Sequence, residues 1–152
     1  MFLTSNAAAA APVRVCREET NLAEIRGVVV NSGNANAATG DPGYADALQM
    51  RNLAGMVMGV GPETVVVAET GTIGVPLDLA SVERGIAEAG ARLGIDGADD
   101  FAHAIMTTDN GPKRCTVRAG GVTLSAQAKG AGMTQPKFAT MLCFVQTDAQ
   151  IA

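Results

Sequence analysis

Aromatic residues are scarce in this chain, with one Tyr, four Phe and no Trp among 152 residues. A core built without them must be filled by Ala, Val, Leu, Ile and Met. No Lys/Arg run occurs and no aromatics are interleaved with basic residues, so nucleic-acid binding has no support. The net charge of −4 names no partner and bears mainly on solubility. Histidine is nearly absent, His103 being the only one. The three cysteines, Cys16, Cys115 and Cys143, are far apart and form no CxxC. A zinc site therefore lacks ligands at workable spacing, and reduced thiols in a cytoplasmic protein are expected. Long apolar runs are missing too, so no transmembrane helix is expected. The opening MFLTSNAAAAA has no basic start, and Ser5 and Asn6 interrupt its apolar run, so it is not read as a signal peptide.

What is present is an apolar, glycine-rich chain. Hydrophobic residues make up 47% and charged residues 17%, which predicts a globular domain rather than disorder. The length fits a single domain. Residues 12–17 read as a short strand and 27–31 as a buried one, followed by a small-residue loop, NSGNANAATG, at 31–40. A helix is expected over 42–58, capped by Asp41, opened by Pro42 and ended by Gly59–Pro62. A β-branched strand at 64–68 leads into a Gly-rich turn at 69–78. Helices are expected over 79–93, capped by Asp78 or Ser81, and over 97–104. IMTTD, residues 105–109, reads as a strand end, 115–118 and 121–126 as a hairpin, and 140–146 as a last strand. Mixed strands and helices predict an α/β or α+β layered domain.

Four segments offer chemistry. In KGAGMTQPKFATML, residues 129–142, a Gly-rich loop with Lys129 runs through Pro136 to Ala139 and Thr140. A hydroxyl needs a nearby base to act as a nucleophile. Cleavage before Thr140 would free an α-amine that serves as that base without a histidine. On this stretch alone, the stronger reading is that Thr140 merely begins a strand. In AETGTIG, residues 68–74, backbone N–H groups at a strand end suit an oxyanion hole, although an ordinary strand-to-helix connection explains them as well. NSGNANAATG offers amides to a ligand, or simply satisfies its own backbone. In MTTDNGPK, Thr107, Thr108 and Asp109 suit a polar substrate, or a capped turn.

Taken in order, SNAAAAAPV, VVNSGNANAATG, ETGTIG, MTTD, PK and KGAGM…P…ATML resemble the bifunctional glutamate N-acetyltransferase/ornithine acetyltransferase family. Each landmark is weak alone, whereas the ordered set is specific and runs through nearly the whole chain. The resemblance implies an α+β layered sandwich of the ornithine acetyltransferase/DmpA-like type, here as one truncated amino-terminal domain over 1–152. It implies self-cleavage between Ala139 and Thr140, with Thr140 as nucleophile and Thr70 and Gly71 as the oxyanion-hole pair. Thr107, Lys129 and Thr140 would bind substrate. The implied reaction moves acetyl from N-acetylornithine to glutamate in arginine biosynthesis, with no cofactor and with acetyl-CoA as a further donor in some members. The implied partners are a carboxyl-terminal half and an assembly of two α and two β chains, with no nucleic acid and no membrane.

Four positions depart from the family's usual pattern. Glu69 stands for a small residue, Thr72 for an apolar one, Lys137 for Asn and Phe138 for Met. A Glu beside the oxyanion pair would oppose developing negative charge if it pointed inward. The competing reading is a non-catalytic binding or structural module of the same descent. A related amino-terminal-nucleophile aminopeptidase would not share NSGNANAATG and MTTD.

Overall fold

The computed structural model describes residues 1, 3–130 and 140–150. Its helices and its parallel and antiparallel sheets make an α+β fold. The chain divides into two compact units, Met1–Leu93 and Gly94–Ala152.

In the first unit, β1 (Gly27–Asn34) and β2 (Val65–Thr72) pair in parallel, with Gly27 opposite Val65 and Gly33 opposite Gly71. Parallel neighbours need a long crossover, which α2 (Gly40–Met58) supplies. Val65 to Thr70 are all buried, as expected of a parallel strand covered on both faces. The core gathers Val65 and Val67 of β2, Ala47, Met50 and Ala54 of α2, and Ile86 of α3 (Leu79–Gly90). Helix α2 ends as expected at Gly59, whose left-handed φ of 66° closes the last turn. Its start differs from expectation. Thr39 precedes it without a side-chain cap, and Asp41 lies within the first turn, where an acidic group still favours the helix dipole. Asp78 caps α3, accepting from the Ser81 N–H at 3.2 Å.

Three expectations in this unit need correction. Residues 12–17 are not a strand but part of α1 (Ala11–Glu18). Val13 and Val15 flanking Arg14 imitate strand alternation. The stronger signal is that Ala11 and Val15, and Pro12 and Cys16, lie four apart and are all buried. Pro12 is tolerated because it sits in the first turn, where its missing N–H costs no helical bond. Secondly, Asn31–Asn34 belong to β1 rather than to a loop. Thirdly, Glu69–Thr72 continue β2 rather than forming a turn. Both extensions follow from one cause: the two segments pair with each other, which short glycine- and amide-rich stretches do not announce.

In the second unit, β3 (Lys113–Ala119), β4 (Val122–Lys129) and β5 (Leu142–Thr147) form an antiparallel sheet in that order. Gly120 and Gly121, at φ 60° and 80°, make the two-residue turn between β3 and β4. Positive φ at both positions matches the twist of a tight hairpin and favours glycine. Helix α4 (Ala98–Ala104) packs by its Phe101 ring edge-on against Phe144 of β5, with centroids 5.2 Å apart. Residues 105–109 are turn and bend rather than a strand end. Asp109 there accepts from the Thr107 and Gly130 N–H groups, a local side-chain alternative to strand pairing. Thr140 precedes β5 and is exposed. Among the described residues no helix is long and apolar enough to cross a membrane, and no three His, Cys, Asp or Glu side chains could share a metal ion.

Candidate active-site segments

The end of β2 carries Thr70 and Gly71. Thr70 is 2% exposed and pairs across to Ser32. Gly71 has φ 140°, and a Cβ added there would fall 2.2 Å from the Gly33 carbonyl carbon. Only glycine fits this position, on backbone conformation and on space. The carboxyl end of β2 is thus locked against β1 by close backbone approach.

Asn36 organises the segment that follows β1. It is fully buried at φ 45°, a left-handed conformation that Asn tolerates better than most residues. Its side-chain amide donates to the Gly43 carbonyl at 2.8 Å and to Glu69 Oε1 at 3.0 Å. Its Oδ1 accepts from the Thr39 hydroxyl at 2.7 Å. Its backbone carbonyl accepts from the Ala11 N–H at 3.1 Å. Asn34 adds bonds from its amide to the carbonyls of Val75 and Pro76. Asn34 and Asn36 therefore bind the protein's own backbone and side chains, while the buried Asn31 Oδ1 has no hydrogen-bond partner among the described residues.

Glu69 is the unusual group. Its carboxyl is 4% exposed, and its Oε2 has no hydrogen-bond partner among the described residues. Burial pushes its pKa up to about 7; the Asn36 bond opposes this, and the Asp46 charge adds to it. A cavity of about 250 Å³ is lined in part by Thr39, Gly43, Asp46 and Gly74, and Glu69 does not line it. Neither Thr70 nor Gly71 lines it.

The second unit brings together two expected substrate residues that lie 22 positions apart. Lys129 ends β4, is buried, and donates from Nζ to the Thr107 hydroxyl at 2.9 Å. Burial lowers its pKa, while the Asp109 carboxylate opposes the shift. Asp109 Oδ1 accepts from the Gly130 N–H at 2.8 Å and from Lys113 Nζ, and its Oδ2 from the Thr107 N–H at 3.4 Å. The Lys113 bond is the main reason that the Asp109 carboxyl is held down at about 2. The Asp109 side chain is wholly covered while Lys113 remains half exposed. Asp109, which the sequence offers as a polar substrate contact or a turn cap, is an anchor whose partners lie on either side of the hairpin. Its i,i+4 spacing to Lys113 was the available signal.

Thr140 lies in the second unit with an exposed residue surface, and Ala139 lies outside the described residues. Thr70 and Gly71 belong to the first unit; Thr107, Lys129 and Thr140 belong to the second. His103 is exposed, with its Nδ1 2.9 Å from the Asp99 carbonyl, and takes no part in either cluster.

A model of the ArgJ family matches residues 1–152. The chain belongs to the ArgJ family. The arginine biosynthesis bifunctional protein ArgJ of Symbiobacterium thermophilum is 50% identical over 152 residues, covering 97% of this chain and 38% of that protein. The glutamate N-acetyltransferase of Methanosarcina mazei is 41% identical over 152 residues, with coverage of 97% and 38%. This ArgJ-family chain thus spans less than two-fifths of the length of these relatives. The crystal structure of ArgJ from Bacillus halodurans superposes with a TM-score of 0.76 at 34% identity, covering 91% of this chain and 74% of that one. Ornithine acetyltransferase from Mycobacterium tuberculosis, solved with ornithine, gives 0.73 at 30% identity, covering 92% and 75%. The α+β fold is accordingly that of the ArgJ family's solved structures.

Proposed function

We propose that this chain supplies the amino-terminal part of a threonine acetyltransferase of arginine biosynthesis, which carries acetyl from N-acetylornithine to glutamate. The observation that supports it most is the Lys129–Thr107 bond, which holds a buried ammonium beside a hydroxyl. Such a pair suits the α-carboxylate that both amino-acid substrates share. The ornithine bound to the Mycobacterium tuberculosis relative agrees with that chemistry.

The proposed route begins with cleavage between Ala139 and Thr140, which leaves Thr140 with a free α-amine. That amine takes the Thr140 hydroxyl proton as Oγ attacks the acetyl carbonyl of N-acetylornithine. Thr70 and Gly71 stabilise the tetrahedral oxyanion. Collapse breaks the amide C–N bond, the proton passes to the departing ornithine amine, and acetyl remains on Thr140 Oγ. The glutamate amine then attacks this ester, takes the acetyl group and returns the proton to Oγ. No cofactor is needed, and an acetyl-CoA thioester would load the same oxygen. The carboxyl-terminal part found in the longer relatives, assembled as two α and two β chains in the cytoplasm, is the partner this scheme requires.

The test is mass spectrometry of the expressed chain, alone and mixed with the carboxyl-terminal part of a relative. A fragment beginning at Thr140, lost in Thr140→Ala, and acetyl transfer in the mixture are the expected outcomes. An intact chain and no transfer under both conditions would refute the reading. They would favour a non-catalytic module, for which the buried Glu69 beside Thr70 is the supporting observation.

A further inference from the structure

Asp109 accepts hydrogen bonds from three partners that approach from different parts of the second unit. These are the Thr107 N–H, the Gly130 N–H and Lys113 Nζ. Its side chain is covered, while its partner Lys113 stays half exposed at the surface. Two of the tethered residues flank the Lys129–Thr107 pair directly: Thr107 is a member of it, and Gly130 follows Lys129. Gly130 sits at φ 151°, a conformation that L side chains rarely adopt, at the point where β4 gives way to the segment leading to Thr140.

We propose that Asp109 is a positioning residue, which sets the Lys129 ammonium and the Thr107 hydroxyl in place as a carboxylate receptor before substrate arrives. The proposal rests on the functional reading above and adds a residue to it. The physical argument is one of preorganisation. Lys129 ends a long flexible stem, and a receptor that had to order it on binding would lose affinity to conformational entropy. The Thr107 hydroxyl orders the Lys129 stem, and Asp109 contributes by tethering the backbone of Thr107 itself and of Gly130, next to Lys129. Asp109 also supplies a negative charge near Lys129, which opposes the lowering of that amine's pKa by burial. Lys113, half exposed, screens Asp109 from repelling the incoming carboxylate.

The test separates this role from the functional reading. The sequence holds three lysines, Lys113, Lys129 and Lys137. In the whole chain labelled with 13C at lysine Cε, each lysine can be titrated by NMR, with the Lys129 signal assigned from Lys129→Arg. Asp109→Asn removes the charge and keeps one oxygen acceptor, so one of the two backbone N–H groups that Asp109 holds on separate oxygens also loses its partner. It should lower the Lys129 midpoint by about one pH unit, the scale expected on losing a close opposite charge. Lys113→Met should move the same midpoint upwards, because the Lys113 charge opposes protonation of Lys129. An unmoved Lys129 midpoint in Asp109→Asn, or movement in the same direction in both variants, would overturn the proposal. In the acetyl-transferring mixture, Asp109→Asn should raise KM for glutamate about tenfold with kcat nearly unchanged, the pattern of lost uniform binding. A fall in kcat at constant KM would also overturn it. If the unsubstituted protein transfers no acetyl, the functional reading fails, and the lysine titration still decides the role of Asp109.

Discussion

Replacing Glu69 by Gln tests the buried carboxyl that the first unit carries beside Thr70. The side chain is 4% exposed and its pKa is raised from an ordinary 4.5 to about 7, chiefly by burial. Between those two values the folded chain keeps a proton that the unfolded chain has released. Stability contributed by the protonated form is therefore complete below pH 4.5 and is lost as pH rises through about 7. At roughly 1.4 kcal/mol per pH unit of pKa displacement, the full loss is about 3 kcal/mol. Gln has nearly the same shape, can still accept from Asn36 through its carbonyl oxygen, and does not titrate. The stability difference between Glu69→Gln and the unsubstituted chain should thus shift in favour of Gln by about 2–3 kcal/mol between pH 5 and pH 8. Urea unfolding followed by circular dichroism at several pH values in that range measures it. A difference that stays flat with pH, or that shifts in favour of Glu as pH rises, would refute the burial argument. The shift should be only slightly smaller in an Asp46→Asn background, since that charge is the least of the influences on Glu69.

Two further substitutions probe the same end of the sheet. Gly71→Ala places a methyl group 2.2 Å from the Gly33 carbonyl carbon at φ 140°; it should destabilise the chain by more than about 1–3 kcal/mol, the cost of backbone strain alone, and abolish any acetyl transfer. Full stability in thermal unfolding would contradict the close approach of β1 and β2. Asn36→Ala removes the donor to Glu69 and Gly43 and the acceptor for Thr39; it should cost about 2–4 kcal/mol in urea unfolding, since buried partners are left unpaired. A loss below about 0.5 kcal/mol, the usual range for surface changes, would show that water replaces those bonds.

Much of the fold follows from local signals. The α2 pattern, its Gly59 stop, the Asp78 cap and the β3–β4 hairpin are each written within a few residues, because capping and turn chemistry act between near neighbours. The α1 segment is not legible locally, because Val13-Arg14-Val15 alternates like a strand and the four-residue burial period appears once β2 and α2 pack against it. The full lengths of β1 and β2 are hidden from the sequence for a related reason. Strand pairing there joins residues 38 apart, and no local propensity marks Asn31–Asn34 or Glu69–Thr72 as extended.

The sequence by itself determined the family, through an ordered set of landmarks, and named the residues on which acetyl transfer would depend. It also marked Glu69 as a departure, on residue type alone. Only the tertiary structure decided what that departure means, because the fate of a carboxyl depends on its surroundings. Glu69 is turned to Asn36 and buried, so its pKa is pushed up and its charge is disfavoured rather than displayed to solvent. The same holds for Asp109, a turn residue in the sequence, which becomes an anchor once the fold brings Gly130 and Thr107 to it. Local propensity reads neighbours along the chain, whereas desolvation and hydrogen bonding across 21 and 33 residues exist only after the chain has folded.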